Sequence, residues 1–155
     1  MKRKSMWATL LCLAVIAILA LAAAPALADR AYHSQHITLM PADGAPLKAG
    51  FVENIHVNGP KVFALERYVL VGAMPLTKYQ VTIQIYLAPG LSQYVGAMPT
   101  TTFWTNRVGN GVGHFRMPPS GAAGFHGMTL YLVWELSVDG GEVVYETSVS
   151  TVMLD

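Results

Sequence analysis

Apolar and polar residues alternate with a period of two along most of the chain beyond residue 30, the spacing of strands with one buried face. In Tyr79–Leu87 the positions Tyr79, Val81, Ile83, Ile85 and Leu87 fall on one face, against Gln80, Thr82, Gln84 and Tyr86. The stretch Lys61–Val71 places Phe63, Leu65, Val69 and Val71 together, interrupted by Arg67, so that face is expected to be the core face. Met128–Ser137 is apolar on both faces, which predicts a central strand. Glu142–Val152 alternates more weakly and reads as an edge. No segment sustains a helical period over three turns.

Turn signals separate these runs: Asn58-Gly59-Pro60, Pro89-Gly90, Gly109-Asn110-Gly111 and Asp139-Gly140-Gly141. The last lies between two strand-like segments and predicts a hairpin, since glycine accepts the positive φ such turns need. Roughly seven to nine short strands in one domain predict an all-β, antiparallel sandwich. The pentapeptide Val-Gly-Ala-Met-Pro occurs twice, at Val71–Pro75 and Val95–Pro99. The residues after each copy differ in kind, so the two are expected in different structural roles.

The run Gly72-Ala73-Met74-Pro75-Leu76-Thr77-Lys78-Tyr79-Gln80-Val81-Thr82-Ile83 resembles the G-L-x-P-x-T-x-Y-x-V-x-V stretch of fibronectin type III and related immunoglobulin-like domains, with Ala73 in place of the leucine. The resemblance implies an immunoglobulin-like sandwich, with Tyr79 as a corner residue whose hydroxyl bonds backbone and Pro75 fixing the turn before it. Thr105–Phe115 is similar to a T-D-x-x-G-x-G-x-x-x-F hairpin of secreted bacterial sandwiches.

The first residues form a targeting pattern. Lys2, Arg3 and Lys4 precede an uncharged apolar run from Met6 to Ala24, and Pro25 stands before Ala26-Leu27-Ala28. This is the pattern of a signal peptide over residues 1–28, leaving 29–155 as one domain secreted or retained in a bacterial periplasm or envelope. An uncleaved anchor is the rival, since about 18 apolar residues can span a bilayer. The single cysteine, Cys12, lies within this run, so residues 29–155 carry no thiol chemistry and no disulfide. Those residues hold seven basic and nine acidic side chains, scattered without blocks. Such a balance gives no nucleic-acid footprint and no polybasic membrane patch.

Catalytic signatures are thin. The glycines at 109, 111 and 113 lack the strand-to-helix context and third spacing of a dinucleotide loop, and no G-x-S-x-G or H-E-x-x-H occurs. Metal binding is the sharper chemistry. His33, His36, His114 and His126 lie near Met40, Met117 and Met128, and imidazole with thioether suits copper. The stretch His36–Leu47 also looks like the beginning of CopC-type periplasmic copper-resistance proteins, and Tyr131–Gly141 is similar to a later part of them, with Gly141 where that family has a histidine. The resemblance implies a copper cofactor as the alternative to having none. Aromatic residues offer a third chemistry. Phe103 and Trp104 are adjacent on a strand and so face opposite ways; if Phe103 is core, Trp104 lies outside or under a loop. Tyr86 falls on the polar face of its own strand. Tyr86 and Trp104 are therefore the candidate surface for a protein or glycan partner. These observations lead to a non-catalytic binding module, with a copper-handling protein as the alternative and an enzyme last.

Overall fold

The computed structural model describes residues 32–42, 44–57, 64–138 and 141–154. The expected signal peptide and its cleavage site lie outside these residues. Among those described, no helix is long and apolar enough to cross a membrane.

Nine strands follow one another: β1 (Tyr32–Pro41), β2 (Ala49–Val57), β3 (Ala64–Val71), β4 (Lys78–Tyr86), β5 (Tyr94–Trp104), β6 (Gly111–Met117), β7 (Met128–Ser137), β8 (Val143–Thr147) and β9 (Ser150–Leu154). A four-residue helix, α1 (Pro119–Ala122), and a single 3₁₀ turn (Ala123–Phe125) lie between β6 and β7. All the pairings are antiparallel, in the order β5-β4-β7-β8-β1-β2-β3-β6, with β9 also on β7. The path folds into two layers. One is β1-β2-β3-β6; the other is β5-β4-β7 with β8 and β9 end to end along β7. β1 belongs to both, pairing β2 over Tyr32–Thr38 and β8 over Leu39–Pro41.

Between the layers lies one core cluster, including Ile37, Val52, Tyr68 and Leu70 from the first and Tyr79, Val81, Ile83, Trp134 and Leu136 from the second. Trp134, Tyr68, Tyr79 and Tyr145 are the largest wholly buried side chains. Aromatic rings of this size each remove roughly 150–250 Å² from water, which accounts for much of what holds the layers together.

The alternation in β4 predicts its inward face correctly: Tyr79, Val81 and Ile83 are buried, while Leu87, beyond the strand, is exposed. β7 is central, as its two apolar faces imply. The segment expected at an edge, Glu142–Val152, contains β8, which is paired on both sides. In β3 the faces are reversed. Ala64, Glu66, Tyr68 and Leu70 point inward, while Leu65 and Val71 are exposed. The outward face of β3 is as apolar as the inward one, so alternation alone gives no sign of which is which. Phe63 lies outside the described residues.

The expected hairpin at Asp139-Gly140-Gly141 joins β7 to β8, with Gly141 at φ +83° and its amide donating to the Val138 carbonyl at 3.0 Å. Asp139 and Gly140 themselves lie outside the described residues. The hairpin expected over Thr105–Phe115 does not form. Among the described residues β5 pairs with β4 alone and β6 with β3 alone, so this connection crosses between layers. The glycines serve close approach instead. A Cβ on Gly109 would fall 2.0 Å from the Ala73 carbonyl oxygen, and one on Gly113 would fall 2.5 Å from the Phe103 ring.

The two Val-Gly-Ala-Met-Pro copies occupy different places. The first ends β3 and opens the turn into β4, with Gly72 at φ +66° and Leu76 at φ +51°; the second lies within β5. Thr105 ties the first turn down: its hydroxyl donates to the Met74 carbonyl at 2.6 Å and accepts from the Thr77 amide at 3.0 Å. Pro75 is exposed, its carbonyl accepting from the Thr77 hydroxyl at 2.9 Å. Tyr79 is buried where the chain crosses between layers. Its hydroxyl lies near Met74, Thr77 and Tyr145 without completing a hydrogen bond, and burial pushes its pKa up. The tyrosine with a well-formed bond to distant backbone is Tyr145, which donates to the Pro46 carbonyl at 2.7 Å.

Candidate functional site

Strand pleating sorts the side chains into an interior and two outer faces, and each holds a distinct chemistry. Five described polar side chains are buried: Asn54, Glu66, Thr105, Thr147 and Ser150. Three have structural partners. Thr105 secures the turn described above, the Thr147 hydroxyl accepts from the Trp134 amide at 3.1 Å, and the Ser150 hydroxyl donates to Gln35 Oε1. Asn54 and Glu66 are different. They are cross-strand partners on β2 and β3, both directed inward, and both line one cavity of about 50 Å³.

That cavity lies between the layers and beside the α1 segment, walled by Ile83, Met98, Met117, Phe125 and Leu132 among others. Glu66 is 4% exposed and Asn54 2%. The Tyr68 hydroxyl donates to Glu66 Oε2, and Thr100 Oγ1 lies 3.1 Å from the same hydroxyl. Burial among apolar walls raises the Glu66 pKa to about 7, against the lowering effects of Tyr68 and the Trp134 indole. Desolvation, with Glu66 alongside, pushes the Tyr68 phenol up as well. Asn54 Oδ1, which lines the cavity, has no hydrogen-bond partner among the described residues. A buried polar group left unpaired costs about 1–3 kcal/mol, which marks Asn54 as the polar point of this otherwise apolar cavity.

The outer face of the β5-β4-β7 layer carries a row of tyrosines. Tyr94, Tyr86 and Tyr131 occupy matching register positions on three neighbouring strands. The Tyr86 and Tyr94 rings are 5.4 Å apart at 55°, and Tyr94 is 58% exposed. Next to them on the same face, the Gln84 amide donates to Glu135 Oε2 at 2.7 Å, and Thr82 and Gln80 continue the face in neutral polar groups.

No family model, curated protein or solved structure matches this chain. Its site must be read from its own residues.

Trp104 is 64% exposed while its neighbour Phe103 is buried. Trp104 is paired with Lys78, however, and Tyr86 lies eight residues further along β4, roughly 27 Å away at ~3.4 Å per residue. The two residues singled out together therefore belong to opposite ends of one face. Tyr86 joins Tyr94 and Tyr131, while Trp104 stands over a shallow depression with Val71, Val112 and Asn110.

The histidines are spread apart. His36, Glu53, Arg67 and His114 share one register row across β1, β2, β3 and β6. Three strand spacings of ~4.8 Å put the two histidines roughly 14 Å from each other. Between them Arg67 pairs with Glu53 at 4.0 Å, and His36 packs edge-on against Phe51, ring centres 4.0 Å apart. His114 is exposed on the outer face whereas Met117 lines the cavity, so that pair straddles its strand. His126 is exposed in the loop before β7. The backbone at His33 pairs with His56, but neither side chain is among those described. Among the described residues no three His, Cys, Asp or Glu side chains converge as a metal site would require.

Sequence reasoning missed Glu66, Asn54 and the completed tyrosine row. An acid inside an alternating strand is normally assigned to the outside, and Tyr94 lies in a segment of weak alternation. The one available signal was parity: Glu66 shares its face with Ala64, Tyr68 and Leu70.

Proposed function

We propose that this chain is a non-catalytic binding module of the immunoglobulin-like kind, exported to the bacterial envelope or beyond, whose tyrosine row receives an extended carbohydrate. Support for the fold family comes from strand order. β2-β3-β6 facing β8-β7-β4-β5 corresponds to A-B-E facing G-F-C-C′, with β1 additional. Support for export comes from the basic, apolar and small-residue segments of residues 1–28.

The observation that carries the carbohydrate reading is the alignment of Tyr94, Tyr86 and Tyr131 across three strands. Aromatic faces spaced at ~4.8 Å by the sheet form a platform on which the apolar faces of sugar rings stack. The adjoining amides and hydroxyls of Gln84, Gln80 and Thr82, with the Glu135 carboxylate beside Gln84, supply hydrogen bonds to sugar hydroxyls. Affinity electrophoresis through gels holding neutral soluble polysaccharides, or glycan strands of cell wall, tests this. Retardation is expected, and Tyr94→Ala or Tyr86→Ala should weaken it about tenfold. Migration unaffected by every polysaccharide would overturn the carbohydrate assignment.

A protein partner is the second reading, favoured by Trp104. With Val71 and Val112 beside it, and Leu76 and Val108 exposed on nearby turns, it makes an apolar patch at the other end of the molecule. Retention of glycan binding in Trp104→Ala separates the two surfaces.

A further inference from the structure

We propose that the outer face of β2, β3 and β6 binds a phosphate monoester with an apolar body, its phosphate held by Arg67, His114 and Arg116 and its body resting on Leu65 and Ile55. The strand register builds this site from residues far apart in sequence. Arg67 on β3 is paired with His114 on β6, and Leu65 with Arg116, so the four occupy neighbouring corners of the pleated surface. All four are exposed. Strands ~4.8 Å apart, with ~6.8 Å between alternate residues along each, put the Cα atoms of the three donor residues within roughly 8 Å of one another. With Glu53 and Ile55 from β2 they line one open depression of about 470 Å³.

Two guanidinium groups about one Debye length apart are not fully screened from each other by salt, so the depression favours an anion. Glu53 lies on the other side of Arg67 from His114, at 4.0 Å, and the Arg67 side chain is half exposed. That pair uses part of a guanidinium with five N–H donors in a planar fork. Arg67 can keep Glu53 and still present donors towards β6. A phosphate monoester offers three acceptor oxygens and close to two negative charges at neutral pH, which matches two forks and an imidazole N–H. A carboxylate, with two oxygens and one charge, would satisfy fewer of these donors. Position decides the body of the ligand. Leu65, 38% exposed, stands opposite Arg116 on one side and Ile55 on the other, so an apolar strip leads away from the phosphate across β3 to β2. A lipid headgroup and a soluble phosphate ester share this chemistry. The site is on the other layer from the tyrosine row, so it stands or falls apart from glycan binding.

The test is a titration of the ¹⁵N-labelled full chain with phenyl phosphate and dihexanoyl phosphatidic acid, which represent the two sources. Inorganic phosphate serves as the head group alone, benzyl alcohol as the neutral counterpart and benzoate as the carboxylate. The readout is the backbone amide signals of residues 65–67 and 114–116. Saturable movement of both sets by the phosphate esters is expected, with inorganic phosphate about tenfold weaker and benzyl alcohol inert. Whichever ester binds more tightly identifies the source. Arg67→Gln and Arg116→Gln should each weaken binding about tenfold, and Arg67→Lys nearly as much, because lysine lacks the fork. Leu65→Ser should remove the preference for phenyl over inorganic phosphate and leave the affinity for inorganic phosphate unchanged. Lys78→Gln, which removes a cation from the other layer, should change nothing. Unaltered amide signals away from the depression establish that each variant is folded. Binding weakened as much by Lys78→Gln, benzoate bound as tightly as phenyl phosphate, or no saturable movement with either ester would each overturn the proposal.

Discussion

A carboxyl group held among Ile83, Met98 and Leu132 prefers to keep its proton. In an unfolded chain Glu66 titrates near 4.5, and in the fold near 7. Between those values the native state binds more protons than the unfolded one, so stability falls as pH rises. The contribution is fully present below pH 4.5 and is lost as pH passes through 7, about 3 kcal/mol in all. Glu66→Gln keeps an acceptor for Tyr68 and removes the titration. It should therefore unfold in urea like the parent at pH 5 but prove about 2–3 kcal/mol more stable at pH 8. A difference that does not vary with pH would show that the folded carboxyl titrates at its ordinary value. Such a residue escapes sequence reading for a physical reason. Its inward position is set by the register of β3 against β2 and β6, and nothing within the strand itself reveals that register.

At the scale of elements, what could be read from sequence was local. The alternation of β4, the contrast between Phe103 and Trp104, and the β7–β8 turn depend on neighbours within a few residues. The crossing from β5 to β6 depends on distant ones. Its glycines resemble a hairpin series, yet they are required by Ala73 on another turn and by the Phe103 ring against Gly113. Gly113→Ala should accordingly destabilise the protein by about 1–3 kcal/mol, the cost of overpacking a filled interior. Combining it with Phe103→Leu should cost less than the sum of the two single changes. Urea unfolding of the four proteins closes that cycle, and strict additivity would mean the two residues do not meet.

For the molecule as a whole, the tryptophans report the division between interior and surface. Trp134 has no exposed area and Trp104 is 64% exposed. In a chain with Trp7→Phe, iodide should quench one emitting population and leave the other intact, and Trp104→Phe should remove the quenchable part. Quenching of both would require an interior open to water. The same division organises the candidate chemistry: the tyrosine row lies outside one layer, the Trp104 patch at its far end, and the Glu66 cavity between the layers.

The strand that belongs to both layers has a consequence for how the chain becomes a fold. β1 precedes the other described strands, yet Leu39–Pro41 pair with Tyr145–Thr147, and Gln35 donates to the Thr151 carbonyl, 116 residues further on. Closing so long a loop costs entropy before any contact repays it, and folding dominated by such pairings is slow. The sandwich cannot close until β8 and β9 are free to pair with β1 and β7. Until those two strands dock, the inward faces around Trp134 and Tyr68 remain open to other chains, and assembly is most vulnerable in that interval.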